Sequence, residues 1–117
     1  MQGSLKNYFT HLLNKLPVKD SMLFEQLRQL RTAITETAHQ YGARRIRVFG
    51  SVARGEESPE SDVDFLVDFP QGYDLFAQRL PLAEALSKLL NREVDVIPEH
   101  ELNRHIRQQI LSEAVDL

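Results

Sequence analysis

The chain has no cysteine among its 117 residues, which excludes disulfides and thiolate metal sites. No apolar run approaches the roughly 20 residues that would span a bilayer. Lys6 and Lys15 near the start bracket no continuous apolar stretch of the kind a secretion signal needs. The expectation is a cytoplasmic chain with no membrane partner. Internal repeats and low-complexity segments are also missing. A net charge of -3 lacks the basic excess of a nucleic-acid binder, so no direct contact with nucleic acid is expected.

What is present is ordinary globular composition, 42% hydrophobic and 26% charged, at a length that suits one compact core. Leu5 to Leu16 puts Tyr8, Phe9, Leu12, Leu13 and Leu16 on one helical face, closed by Pro17. Residues 1–20 are therefore read as a helical extension, and residues 21–117 as the domain proper. Asp20 or Ser21 can cap a second helix, whose stripe of Leu23, Leu27, Leu30, Ile34, Ala38 and Tyr41 ends at Gly42.

Three short strands follow. Arg45 to Phe49 alternates Ile46 and Val48 toward one side and ends at Gly50-Ser51. Val52 to Ser61, with Gly55, Ser58 and Pro59, predicts a turn with at most a short helix. Asp62 to Phe69 turns Val63, Phe65 and Val67 to one face and Asp62, Asp64, Leu66 and Asp68 to the other. Tyr73 to Leu90 is helical with a kink at Pro81. Arg92 to Ile97 sets Asp95 between Val94 and Val96, and a last helix carries Leu102, Ile106, Ile110, Ala114 and Leu117. The order predicts an α/β (α+β) domain, a small mixed sheet of about three strands flanked by helices.

Several polar residues interrupt this apolar logic. Gly50-Ser51 directly follows a strand, where a glycine admits a ligand close to the backbone and a helical turn aims N–H groups at an anion. Alone, the pair reads equally as a strand-ending turn. Asp62 and Asp64 project side by side from one strand face, an arrangement that a bound cation offsets. Magnesium wants such carboxylate oxygens, completed by substrate phosphates and water. The plainer alternative is a solvated strand end. Asp95 sits in the middle of an apolar strand, which is costly unless it is paired, metal-bound or on a watered edge. Asp68, at the far end of the same face, is read as structural. His11, His39, His100 and His105 lack the spacing of metal ligands and are expected to be exposed.

A phosphate cradle, a carboxylate pair and a third strand-borne carboxylate form the parts list of two-metal phosphoryl chemistry. The spacing adds a geometric demand. Ser51 ends one strand and Asp62 begins the next, and parallel strands would hold them ~17–20 Å apart. For one triphosphate to touch both, the first two strands must run antiparallel. Asp62, Asp64 and Asp95 are then expected to converge within about 5 Å, repelling one another in the absence of a cation.

Gly50-Ser51-Val52-Ala53-Arg54-Gly55, then Ser61-Asp62-Val63-Asp64, then Val94-Asp95-Val96, resembles the minimal nucleotidyltransferases of the DNA-polymerase-β-like superfamily. The resemblance runs from about Arg44 to the C-terminus, and it implies the nucleotidyltransferase fold. It implies that Gly50 and Ser51 hold the phosphates of ATP. It further implies that Asp62, Asp64 and Asp95 bind two Mg²⁺ ions, and that Asp95 helps to deprotonate the acceptor. Many members are antitoxins of HEPN-domain toxins, small helical RNases. The resemblance therefore implies transfer of AMP to a tyrosine hydroxyl of such a partner. Arg54 belongs to the motif and is expected to brace the loop through Glu56 or Glu57. Two alternatives remain open: a contact-only antitoxin with a vestigial site, and a transferase acting on a small molecule or an RNA end.

Overall fold

The computed structural model describes residues 22–117, so the predicted first helix and the cap at Asp20 or Ser21 lie outside the described residues. Two helices, α1 (Met22–Gln29) and α2 (Arg31–Gln40), replace the single long one expected. The break is slight. Leu30 N–H donates to both the Gln26 and Leu27 carbonyls, at 3.1 Å each, a shared bond that tightens one turn without ending the stripe. Gly42 takes a φ of +88°, the left-handed stop expected there.

The strands are β1 (Ile46–Phe49), β2 (Val63–Val67), β3 (Val94–Pro98) and β4 (Val115–Asp116), in the order β3-β2-β1-β4. β1 and β2 run antiparallel, as a ligand shared by Ser51 and Asp62 demands, with Phe49 opposite Asp64. β2 and β3 are parallel, joined by the helical crossover that such pairing needs. The sheet thus has four strands, not about three. Val115 and Asp116 leave the predicted last helix to pair with β1, opposite Val48 and Arg47. A two-residue strand is too short to show a period, so the stripe through Ala114 and Leu117 conceals it.

Short α3 (Gly50–Arg54) follows β1, and α5 (Arg104–Glu113) precedes β4. The crossover is one continuous helical segment in two registers, a π-helix over Leu75–Arg79 and α4 over Leu80–Leu90. Pro81 is the second residue of α4, directly after the π turn. The Asp74 carboxylate caps the π turn, accepting from the N–H groups of Phe76 at 2.8 Å and Ala77 at 3.0 Å.

The core lies on one face of the sheet. Ile46, Val48, Val63, Phe65, Val67 and Val96 pack with Phe24, Leu27, Ile34, Leu82 and Leu86 of the helices. Each such side chain contributes about 1.5–3 kcal/mol when fully buried. The alternation that turns those residues inward turns Arg47, Asp64, Leu66 and Asp95 to the opposite face.

Candidate active site

The fold builds one end of that second face from three segments. β1 delivers Gly50, Asp62 and Asp64 flank the first residue of β2, and β3 brings Asp95 into register beside Asp64. The loop before β2 is fixed locally. Ser58 N–H donates to Ser61 Oγ at 2.8 Å, and Ser61 N–H donates to the Ser58 carbonyl at 3.0 Å. Arg92, two residues before β3, donates to the carbonyls of Ser58 (3.3 Å) and Ser61 (2.9 Å). The chain leading into Asp62 is thereby fastened to the chain leading into Asp95.

Gly50 is needed at its position twice over. Its φ is +75°, a conformation that L residues enter at a cost of about 1–2 kcal/mol. A Cβ there would also collide with Asp64 Oδ2 and stand 3.1 Å from Asp64 Cγ. The carboxylate of Asp64 therefore lies directly against the backbone of the Gly50-Ser51 turn.

Asp64 is half-buried, whereas Asp62 and Asp95 are exposed. Burial is the main reason its pKa is pushed up to about 6, and the charges of Asp95, Asp62 and Glu113 add to the rise. Arg54 works against them. Among the described residues no basic side chain forms an ion pair with Asp62, Asp64 or Asp95.

The three carboxylates share an end of the sheet, yet they do not close into a metal-holding group. Among the described residues no three His, Asp or Glu side chains gather closely enough for that, contrary to the expected convergence. The donor chemistry still suits a hard cation, because every group is a carboxylate oxygen and two come from one strand. His39, His100 and His105 are exposed as expected, His100 with its ring edge-on to Tyr73, and His11 lies outside the described residues.

Arg54 does brace its loop, with Nε 3.1 Å from Glu56 Oε2. It also has a second partner, which the sequence does not predict. Nη1 meets both Glu113 oxygens, at 3.3 and 3.1 Å, and Gly50 N–H points at the same carboxylate at 3.4 Å. Glu113 falls between the apolar positions of a predicted helix, and it is the tertiary packing of the end of α5 beside α3 that brings it to Gly50. Two clefts, of about 840 and 590 Å³, are lined by none of these carboxylates. The first involves Leu23, Glu57 and Pro59, and the second Thr35, His39 and Arg45.

Residues 27–117 match the nucleotidyltransferase domain family. The protein adenylyltransferase MntA of Thermococcus cleftensis is 37% identical over 95 residues, 80% of this chain and 95% of its own length. MJ0435 of Methanocaldococcus jannaschii is 33% identical over 91 residues, 78% of this chain and 97% of its own. A solved minimal nucleotidyltransferase superimposes with a TM-score of 0.71 at 44% identity, over 80% of this chain and 94% of that one. A toxin–antitoxin complex solved with AMP-PNP shares the fold at 24% identity and a TM-score of 0.64, over 74% of this chain and 70% of that one. With the match spanning every strand and every carboxylate described above, this chain belongs to the nucleotidyltransferase domain family of enzymes.

Proposed function

We propose that this enzyme is a magnesium-dependent protein adenylyltransferase that moves AMP from ATP to a tyrosine hydroxyl of a cognate HEPN-type RNase toxin, and so acts as its antitoxin. The observation that carries the reading is the Asp64 carboxylate, held against Gly50, where a Cβ would collide with it, and flanked by Asp62 and Asp95. The adenylyltransferase name of the Thermococcus relative and the AMP-PNP in a toxin–antitoxin fold neighbour support the choice of nucleotide and partner.

Asp62, Asp64 and Asp95 would hold the magnesium ions, which supply charge neutralisation of the triphosphate and polarisation of the acceptor oxygen. The backbone of Gly50-Ser51 and the Ser51 hydroxyl bind the β- and γ-phosphates. Asp95 accepts the proton of the tyrosine hydroxyl. The phenolic oxygen then forms its bond to the α-phosphorus while the bond to the pyrophosphate oxygen breaks in line, and pyrophosphate leaves. Holding the acceptor and the α-phosphorus in one geometry is the protein's main contribution to the rate.

The test incubates the chain and its partner toxin with Mg²⁺ and ATP labelled at the α-phosphate. The expected result is label on a toxin tyrosine, located by mass spectrometry, with loss of RNase activity. Toxin neutralised without any label would instead establish the contact-only antitoxin.

A further inference from the structure

From the geometry around Arg54 we infer that Glu113 is a positioning residue of the phosphate cradle, fixing the Arg54 guanidinium against the Gly50-Ser51 turn. The inference deepens the proposed function and rests on its nucleotide site. Glu113 is the last residue of α5, and one residue later the chain joins the sheet, where Val115 pairs with Val48 and Asp116 with Arg47. A helix end tethered to the sheet, not a flexible loop, therefore determines where this carboxylate stands. Its side chain is 17% exposed, against 64% for Glu56, so the two clamps on Arg54 differ in rigidity.

The guanidinium is a planar fork with five N–H donors. Glu56 takes the Nε edge and Glu113 takes Nη1 with both oxygens. Nη2 has no partner among the described residues, which leaves its two donors for an incoming anion. A fork locked on two sides loses little freedom when it engages a phosphate on the third. Glu113 also takes the Gly50 N–H at 3.4 Å, a long bond that a phosphate oxygen outcompetes without releasing Arg54.

Calorimetric titration of the full chain with AMP-PNP and, separately, with AMP in Mg²⁺ tests the role. The first ligand carries the phosphates that the cradle would hold, and the second lacks them. Glu113→Gln and Glu113→Ala should bind AMP-PNP about tenfold more weakly, as expected for losing a charge-assisted bond, with AMP affinity unchanged. In an Arg54→Met background the Glu113→Ala change should add nothing further, because its effect passes through Arg54. Glu113→Gln is isosteric, and a wild-type melting temperature for it separates weakened binding from misfolding. Unchanged AMP-PNP affinity would overturn the inference. So would tighter binding, which would make Glu113 a competitor of phosphate, or equal losses for both ligands. A wild-type chain that binds no AMP-PNP in Mg²⁺ would overturn the nucleotide site itself, and this inference with it.

Discussion

Asp64 and Asp68 point from the same face of β2, at its two ends, and the fold treats them in opposite ways. Asp68 meets Arg44 at 3.1 Å, and both side chains are partly exposed. Asp64 is half-buried, has no basic side chain in contact among the described residues, and shares its end of the sheet with Asp62, Asp95 and Glu113. One carboxylate is neutralised where it serves only the scaffold. The other is gathered with like charges and pressed against a glycine, at a cost that folding alone gives no reason to bear. An unneutralised cluster on a well-packed sheet is the pattern expected where a ligand supplies the missing charge.

The widest separation between the two ends should appear in activity. Asp64→Asn is expected to lower AMP transfer to the partner by at least about a thousandfold, the scale seen when a preorganised charge at a reacting centre is lost. Asp68→Asn should leave the rate within about twofold, since an exposed pair contributes little. Both rates come from one radiolabel assay with purified toxin. Equal losses at the two positions would erase the distinction between the ends.

Gly50→Ala probes the wall against which Asp64 rests. The φ of +75° and the collision with Asp64 Oδ2 together predict a loss of about 2 kcal/mol or more in stability. The displaced carboxylate should also weaken nucleotide binding in Mg²⁺. A denaturant melt and an AMP-PNP titration check the two effects, and a fully stable variant would show that the turn relaxes freely.

Part of this contrast is legible in the amino-acid sequence. Period-2 alternation places Asp62, Asp64 and Asp68 on one face of β2, and the antiparallel pairing of β1 with β2 follows from asking one triphosphate to touch Ser51 and Asp62. Which aspartate has a partner is not legible, because Arg44 lies 24 residues before Asp68 and nothing local links them. Glu113 stays hidden for a related reason, since its role depends on the tertiary packing of the end of α5 beside α3. The π turn before α4 and the break at Leu30 are similar cases, in which tertiary packing reshapes a helical stripe without erasing it.

A smaller effect lies in the response to pH. Asp64 titrates near 6 in the folded chain against an ordinary 3.8, so between those values the folded state holds the extra proton. Its contribution to stability is fully present below 3.8 and is lost as pH rises through 6. In chelator, Asp64→Asn should therefore melt at a higher temperature than wild type at about pH 7, and the gap should narrow toward about pH 4. Added Mg²⁺ should raise the melting temperature of wild type more than that of the variant. A variant less stable than wild type at neutral pH in chelator would mean that Asp64 stabilises the fold, contrary to the burial and like charges around it.

Salt gives the finest test, because the two ends should answer it with opposite signs. The Arg44–Asp68 pair is an attraction between side chains 64% and 42% exposed, worth about 0.5 kcal/mol at most. Asp68→Asn should therefore lower the melting temperature slightly at low ionic strength. The backbone bonds of Arg44 N–H to the Asp68 carbonyl (2.8 Å) and Asp68 N–H to the Arg45 carbonyl (2.9 Å) survive the substitution, so strand pairing does not confuse the result. Asp64→Asn removes a repulsion and should raise the melting temperature in chelator. The screening length falls from about 10 Å at 0.1 M salt to about 3 Å at 1 M, which weakens attraction and repulsion alike. Both differences from wild type should shrink as salt rises, one from below and one from above. The Asp64 difference should shrink only by its repulsive part, because the burial that dominates its pKa rise is not screened. Melting curves of the three proteins across a salt series decide it, and two differences of the same sign would mean that the aspartates at the two ends of β2 are in equivalent surroundings after all.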